Sequence, residues 1–474
     1  MEEDSMNSED LCFLSAFELA EAIREKSVSP VEVMQAVLDR IERLNPTLNA
    51  FCTLTADDAI QAAKLAEGAV MKREPLGPLH GVPVSIKDNL YVKGVRTTFG
   101  SKLMEHHVAD ADAPVVARLR RAGAIIVGRT NTPEFGWKGV TDNQVFGITR
   151  NPWNLDLTPG GSSGGASAAV ASGLGPIGIG TDGGGSLRIP ASFCGLVGHK
   201  PSFGRVPHYP GISLGSLRHV GAITRTVVDS ALALNVISGP DDRDPTSLPP
   251  PDVDFVVEIE RGIEGLRVAY SPDLGYAHVE TEVASLCAQA ARKFSETGAV
   301  VEQVDLDWAD PYPCWNVLFY GSATARLGNQ FAAKGHLLDP GLHNAVAAGL
   351  QQSGTDITSA LVQQYEYWQH VRRVFDNYDL LITPALAVVP FAVGQDNADW
   401  PPGQQPRELH WTQFTYPFNL TGQPAVSVPC GWTEASLPVG LQIVGRRFDD
   451  ATVLRAARAW EKIQPWAERR PIMT

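Results

Sequence analysis

The sequence offers little that would support a metal site, a disulfide framework or a membrane span. Its six cysteines are scattered over 474 residues and no two form a CxxC pair, which argues against a zinc ribbon or a thioredoxin-type motif. The eleven histidines include no HExxH pattern, and no run of about 18 apolar residues is present. We therefore expect no metal, no cofactor and no membrane association, with the cysteines reduced.

Basic charge is also scarce. The net charge is −14 at pH 7 and the pI is about 5.3, whereas a surface that follows phosphates needs clustered Lys and Arg. We therefore expect no nucleic-acid partner. The acidic start, "MEEDSMNSED", lacks the basic segment and apolar core of a signal peptide. Together these features predict a cytoplasmic monomer or homodimer that acts on a small molecule.

Helix and strand patterns alternate along the chain and predict an α/β fold. Capping-box patterns begin at Ser15 and Ser29, and the helix after Ser29 is predicted to end at Asn45-Pro46. A third helix is predicted over 56–72. Further on, short apolar strands such as "VPVSIK" alternate with amphipathic helices. This order predicts a large mixed, mostly parallel β-sheet.

Two segments suggest how the chain is organised around that sheet. Residues 239–254, "GPDDRDPTSLPPPDVD", are rich in proline and read as a linker. Residues from about 300 to 377 are helical in pattern and rich in aromatic side chains. We predict one domain over 1–474, with this second segment as an insertion that covers the site.

The stretch over 158–195, "TPGGSSGGASAAVASGLGPIGIGTDGGGSLRIPASFCG", is crowded with glycine and serine. A flexible linker is one interpretation, but helix and strand patterns interrupt the glycines. A phosphate-binding loop is another, but no Lys follows as GxxxxGK[ST] requires. A catalytic loop is the third. Consecutive N–H groups over 183–186 would stabilise an oxyanion, and the serine at the end of this loop would attack a carbonyl.

Such a serine needs a base, and the sequence has no GxSxG elbow to suggest a histidine triad. A neutral lysine would serve instead. The segments "GGSSGG", "TDGGGSLRIPASFCG", "GHKPSFGRVP" and "HGVPVSIKDN" resemble the amidase signature family. The resemblance extends over nearly the whole chain, through the segments "GRTNTPEFG", "ITRNPWN", "FNLTGQPAVSVP" and "PVGLQIVG".

The resemblance implies a fold in which helices cover both faces of the mixed sheet, and it implies a role for each matching residue. Ser186 would be the nucleophile, Ser162 a bridging serine beside a cis peptide bond, and Lys87 the base. The oxyanion hole would consist of Gly183, Gly184 and Gly185, and the supporting residues would be Ser163, Asp182 and Arg188. A lysine is normally charged at neutral pH, so burial must lower the pKa of Lys87 for this role.

The predicted reaction is hydrolysis of a carbon–nitrogen bond other than a peptide bond, through a Ser-Ser-Lys triad and an acyl-enzyme. The aromatic insertion and the lack of charge-pairing signals favour bulky, uncharged aryl amides or carbamates (urethanes), with esters as further substrates. Gly183 predicts additional space beside the oxyanion hole. The candidate substrate-binding residues are Phe135, Trp137, Trp315 and Phe319.

Two alternatives stay open at this point. The chain resembles the glutaminase subunit of a tRNA-dependent amidotransferase, which would release ammonia from glutamine for a partner. It would also be compatible with a catalytically dead binding protein on the same fold, although an intact Lys87, Ser162 and Ser186 argue against that interpretation.

Overall fold

An eleven-stranded sheet forms the centre of the protein. The computed structural model describes residues 7–211, 216–399 and 410–473, so the first six residues of the acidic start lie outside the described part. The strands are β1 (Phe51–Leu54), β2 (Pro83–Lys87), β3 (Ile125–Thr130), β4 (Asp142–Asn143), β5 (Gly147–Ile148), β6 (Ile177–Asp182), β7 (Val197–Lys200), β8 (His219–Thr224), β9 (Arg267–Tyr270), β10 (Val300–Gln303), β11 (Leu380–Pro384), β12 (Ala425–Trp432) and β13 (Pro438–Gly445). The order in the large sheet is β1-β3-β2-β6-β8-β7-β12-β13-β11-β9-β10, and β4 and β5 form a separate hairpin.

Helices surround this sheet. They are α1 (Ser8–Phe13), α2 (Ala16–Glu25), α3 (Pro30–Leu48), α4 (Ala56–Lys72), α5 (Pro114–Arg121), α6 (Gly164–Ala171), α7 (Arg188–Cys194), α8 (Val227–Ile237), α9 (Phe255–Glu258), α10 (Thr281–Lys293), α11 (Tyr312–Lys334), α12 (Pro340–Gly349), α13 (Gly354–Arg372), α14 (Pro417–Leu420) and α15 (Asp450–Ile463). None of the helices in the described ranges combines the length and apolarity that a membrane span requires.

The mixed α/β sheet is confirmed, but the prediction that it is mostly parallel is wrong. Only four of its ten neighbouring pairs are parallel, namely β2·β3, β2·β6, β9·β11 and β9·β10. The other six are antiparallel. Parallel neighbours need a long crossover, usually a helix. The five residues between β12 and β13 are too few for one, and the described part of the connection between β7 and β8 contains no helix.

Both faces of the sheet are buried, as alternate residues of β11 demonstrate. Leu380 and Ile382 belong to the largest apolar cluster, together with Trp460 of α15. Leu381 lies in a different cluster, with Trp411. Successive side chains of a strand point to opposite faces, so apolar residues cover this strand on both sides. The continuous apolar sequences of the late strands follow from this double burial.

The N-terminal helices begin where the sequence predicts. Ser15 and Ser29 each form a complete capping box with the glutamate three residues later, and α4 spans the predicted 56–72. The predicted helix end at Asn45-Pro46 is wrong, because α3 continues to Leu48 and ends at Asn49 in the left-handed conformation. The Asn45 side chain instead bonds both backbone groups of Phe51.

Helices α11, α12 and α13 account for most of the aromatic-rich segment, which the sequence predicts as helical. They pack against one another around an aromatic cluster that includes Trp315 and Tyr416. The proline-rich segment 239–254 is tied to neighbouring loops: Gly239 N–H donates to Arg205 O at 3.1 Å, and Leu248 N–H donates to Gly204 O at 2.8 Å.

Candidate active site

Lys87 is the last residue of β2 and is fully buried. Val84 and Ile86 of the same strand face the main apolar cluster, so alternation turns Lys87 to the other face. Its Nζ lies 2.6 Å from Ser162 Oγ, 3.0 Å from Ser163 Oγ and 3.1 Å from Thr181 Oγ1. The amine is thus surrounded by three hydroxyl groups.

Burial lowers the pKa of Lys87 well below its usual range. The negative charge of Asp182 opposes this shift, and the positive charge of Arg218 adds to it. Desolvation disfavours the charged ammonium, so the amine is held toward its neutral form. A neutral amine has a lone pair and can accept a proton, which is the property that the sequence argument required of this residue.

Ser162 and Ser163 stand at the start of α6, in a loop where the backbone makes very close approaches. The Gly161–Ser162 peptide bond is cis, which agrees with the resemblance. A Cβ on Gly161 would lie 2.7 Å from the Val140 backbone, and one on Gly165 would lie 2.4 Å from Asn131 N. Only glycine fits positions so close to other main chain. The glycines therefore allow close packing of the loop, and a flexible linker is not what they form.

The second glycine-rich loop is held by a buried ion pair. Arg188 Nε and Nη2 donate to the two oxygens of Asp182, each at 3.0 Å, and both side chains are fully buried. The same carboxylate accepts the N–H groups of Gly185 at 2.7 Å and Leu187 at 3.1 Å. Burial alone would raise the pKa of Asp182, but the Arg188 guanidinium holds it below its usual range. Asp182 therefore acts as a charged anchor for the turn that carries Ser186.

The two loops also meet each other. Ser163 N–H donates to Ser186 O at 3.2 Å, and Ser163 Oγ donates to Thr181 O at 3.2 Å. Ser162 and Ser186 line one small cavity of about 40 Å³. The structure thus brings the predicted Lys87, Ser162 and Ser186 to one place.

The backbone N–H groups of the three glycines before Ser186 do not all have the same environment. The N–H of Gly185 is donated to Asp182, so it does not point at a substrate, and in this respect the predicted oxyanion hole needs correction. Among the described residues, the N–H groups of Gly183, Gly184 and Ser186 meet no protein acceptor. Those three donors are available to an oxyanion beside Ser186.

The predicted extra space beside Gly183 is absent. A Cβ on Gly183 would lie 2.9 Å from Phe319 Cε2, and one on Gly184 would lie 2.6 Å from Trp315 Cζ2. The two rings stack with centroids 4.5 Å apart, and Trp315 Nε1 donates to Gly183 O at 3.0 Å. Helix α11 therefore fills the volume that the glycines leave open.

The four predicted substrate-binding residues all border Ser186, in two cavities. Trp137, Trp315 and Phe319 line a small aromatic cavity of about 20 Å³. Phe135 and Phe319 line the polar cavity described above. Its other side chains include four that sequence reasoning missed, namely Asn89, His208, Arg218 and His219.

Sequence reasoning also missed the residues that support Arg188 from the C-terminal part of the chain. Arg188 donates to Thr415 O at 2.9 Å, Gln442 Oε1 at 2.8 Å and Asn419 Oδ1 at 2.7 Å. Asn419 Nδ2 in turn donates to Asp182 Oδ1 at 2.8 Å. The only sequence signal for Asn419 and Gln442 was their place in "FNLTGQPAVSVP" and "PVGLQIVG", two of the segments that carry the resemblance.

Comparison with known proteins identifies the family of this chain. A family model described as Amidase matches residues 32–454. The chain belongs to the amidase family. An acylamidase of Rhodococcus erythropolis is 40% identical over 476 residues, with 98% of each chain covered. A glutamyl-tRNA(Gln) amidotransferase subunit from Moorella thermoacetica is 38% identical, with 98% of this chain and 99% of that protein covered.

A solved structure is also similar to this chain over nearly its full length. The crystal structure of a bacterial aryl acylamidase of the amidase signature family superposes with a TM-score of 0.91 at 34% identity, covering 97% of this chain and 99% of that one. The large mixed sheet with its helices is therefore the amidase signature fold. This amidase is a hydrolase that acts on carbon–nitrogen bonds of linear amides.

Proposed function

We propose that this amidase cleaves its substrates through Ser186, Ser162 and Lys87, with a covalent acyl-enzyme on Ser186. The observation that carries the proposal is the 2.6 Å contact between Lys87 Nζ and Ser162 Oγ in a fully buried position. A neutral amine at that distance is a base for the Ser162 hydroxyl. Ser163 Oγ already donates its proton to Thr181 O, and Ser162 Oγ is nearer to Lys87 Nζ than Thr181 Oγ1 is, at 2.6 Å against 3.1 Å, so we assign Ser162 as the hydroxyl that donates to the Lys87 lone pair.

The proton path follows from these contacts. Ser186 Oγ attacks the substrate carbonyl carbon as its proton passes to Ser162 Oγ, while the Ser162 proton passes to Lys87 Nζ. The carbonyl oxygen becomes an oxyanion, which the N–H groups of Gly183, Gly184 and Ser186 stabilise. The carbon–nitrogen bond breaks, the amine leaves with the proton returned through Ser162, and the acyl group stays on Ser186. Water then hydrolyses the ester by the same path in reverse.

Asp182, Arg188 and Ser163 have positioning roles in this proposal. The ion pair fixes the turn that carries Ser186, and Ser163 joins that turn to the Ser162 loop. A nucleophile must be held within a few tenths of an ångström of its working position. The network therefore contributes to the rate without touching the substrate.

For the substrate we propose aryl amides first, with aryl carbamates and esters as further substrates of the same acyl transfer. The support is the aromatic cavity of Trp137, Trp315 and Phe319 beside Ser186, together with the similarity to an acylamidase and to an aryl acylamidase. Stacked rings favour a planar group of the substrate. We propose cytoplasmic action as a monomer or homodimer, with no nucleic-acid partner.

The test is a panel of substrates given to the purified chain: a 4-nitroanilide, a 4-nitrophenyl carbamate, an aliphatic amide and glutamine. We expect turnover of the anilide and a burst of nitroaniline equal to the enzyme concentration if deacylation is slow. Ser186→Ala should lower turnover by at least about 10³-fold. Ser230→Ala, another buried serine whose hydroxyl has no partner among the described residues, is the matched control and should leave turnover unchanged. Full activity in Ser186→Ala would refute the nucleophile.

A second candidate function is the glutaminase activity of an amidotransferase subunit. It is favoured by the 38% identity to the Moorella thermoacetica protein over nearly the full length. Turnover of glutamine alone, or no turnover by the isolated chain, would favour this function. Complete inactivity of the intact triad toward every substrate, with or without a partner, would favour a binding protein.

A further inference from the structure

The polar cavity next to Ser186 is lined by a guanidinium that has no counter-ion among the described residues. Arg218 lies directly before β8 and faces the same cavity as Ser162, Ser186 and Asn89. Among the described residues, its side chain has no hydrogen bond and no ion pair. Buried arginines elsewhere in the chain are bonded: Arg188 to Asp182 and Asn419, for example.

Apart from Asp182, the charged and titratable groups of the described residues around Arg218 are basic. Arg218 interacts electrostatically with Lys87, with His208 and with Arg326 of α11. Arg326 itself lies over the rings of Phe99 and Phe135, at 5.2 and 5.5 Å. Burial keeps Lys87 and His208 toward their neutral forms, so the positive charge on this side of the cavity comes from Arg218 and Arg326.

The Asp182 carboxylate lines this cavity too, but its oxygens already accept hydrogen bonds from other groups. Asp182 accepts from Arg188, Gly185, Leu187 and Asn419, so its oxygens are saturated. Burial and the nearby Arg326 lower the pKa of Arg218 to about 9, which still leaves it charged at neutral pH. Arg218 is partly buried, and a planar guanidinium matches a carboxylate in two parallel hydrogen bonds.

The cavity on the other side of Ser186 differs in character. Its side chains include Trp137, Ile189, Trp315 and Phe319. Both cavities share Ser186 and Phe319, so the scissile bond of a substrate would lie between an aromatic compartment and a cationic one.

We propose that the preferred substrates carry a carboxylate that binds Arg218 and, on the other side of the scissile amide, an apolar or aromatic group that packs against Trp137, Trp315 and Phe319. This proposal rests on the proposed function of Ser186 and narrows its substrate class. It also revises the uncharged substrate that the sequence predicts, because charge-pairing capacity is present at Arg218.

A different role for Arg218 would give different kinetics. Its positive charge also lowers the pKa of Lys87. If that were its purpose, removing it would slow all substrates alike and move the acidic side of the pH–rate profile upward. Loss of a carboxylate-binding residue additionally raises the KM of charged substrates relative to their neutral isosteres.

The test compares substrates that differ only in charge. The first pair is the 4-nitroanilide of succinate and its neutral isostere, the 4-nitroanilide of 4-methylpentanoate. The second pair reverses the amide: N-phenylacetyl-β-alanine and N-phenylacetyl-3-methylbutylamine. In the unaltered enzyme, we expect the charged member of one pair to exceed its isostere in kcat/KM by at least about tenfold.

In Arg218→Gln, that preference should disappear through a higher KM for the charged member, measured at a pH where Lys87 is neutral in both proteins, while any upward shift of the acidic side of the pH–rate profile is the same for both members of a pair. Arg218→Lys should retain part of the preference. Arg447→Gln is the matched control, because Arg447 also has no carboxylate partner among the described residues and lies over Trp368 and Phe448 at 5.5 and 4.6 Å.

Binding to Ser186→Ala, measured by calorimetry with the charged substrates, provides a readout without turnover. Arg218→Gln in that background should weaken the binding by at least about tenfold. Equal kcat/KM for charged and neutral members in the unaltered enzyme would overturn the proposal, as would an equal loss on both in Arg218→Gln. Hydrolysis of the neutral isosteres by Ser186→Ala would instead refute the proposed function, so the two failures are distinguishable.

Discussion

Replacing Asp182 by asparagine should destabilise the whole chain, although the change is nearly isosteric. The carboxylate accepts five hydrogen bonds, from Gly185, Leu187, Asn419 and twice from Arg188. An asparagine has only one acceptor oxygen, so its amide would face a donor in either orientation. Arg188 would keep its charge in a fully buried position without a counter-ion.

The expected magnitude follows from that geometry. Removing one partner of a buried ion pair costs about 3–5 kcal/mol. An unfolding entropy of about 2.1 cal/mol/K per residue over 474 residues amounts to about 1 kcal/mol/K. We therefore expect the Tm of Asp182→Asn to fall by about 3–5 °C, measured by calorimetry at a fixed scan rate, with hydrolytic activity reduced as the Ser186 turn loosens.

The stability that Asp182 contributes should depend on pH in a definite direction. The pKa of Asp182 is lower in the folded than in the unfolded chain, so its contribution to stability is present above the unfolded value of about 3.9 and is lost as pH falls through the folded value. The gap in Tm between the two proteins should narrow below about pH 4. Glu260→Gln, which removes a surface partner of Arg458 and Lys462, should lower Tm by about 1 °C or less. An Asp182→Asn protein as stable as this control would refute the reasoning.

Three further predictions concern activity. Because burial lowers the pKa of Lys87, kcat/KM should fall as pH is lowered and the amine is protonated, and Lys87→Met should lower kcat by at least about 10³-fold with an unchanged circular dichroism spectrum. Gly184→Ala places a Cβ 2.6 Å from Trp315 and should lower kcat/KM for the anilide by at least about tenfold, whereas Gly68→Ala, with open space around its Cβ, should leave it unchanged. Phe319→Ala should raise KM for the aryl anilide more than for an aliphatic amide, measured side by side, and an equal rise for both would contradict stacking on this ring.

Local sequence signals predicted local structure well. The capping boxes at Ser15 and Ser29 and the span of α4 depend on contacts within a few residues, and the structure confirms them. Strand direction depends on how distant segments meet, so the parallel majority inferred from alternating patterns is wrong. Pro46 reads as a helix end, yet α3 includes it in its last turn.

In the candidate site too, the sequence located some residues and missed others. Motif resemblance located Lys87, Ser162 and Ser186, which the structure brings together. It did not locate Arg218, because what distinguishes this residue is the lack of a bonded carboxylate among the described residues. That property depends on β2, the loop before β8 and helix α11 at once. The space beside Gly183 was misjudged for a similar reason, since Phe319 of a remote helix fills it.

The reach of Arg188 to Asn419 and Gln442 has a consequence for biosynthesis. A ribosome that has synthesised the chain only to the end of α13 has already released Lys87, Ser162 and Ser186, but neither of the two side chains that complete the hydrogen bonding of Arg188. The turn that carries Ser186 therefore reaches its native arrangement only when almost the entire polypeptide has been made. A product cut short by a stop codon before β13 would contain every proposed catalytic residue and still lack a functioning site.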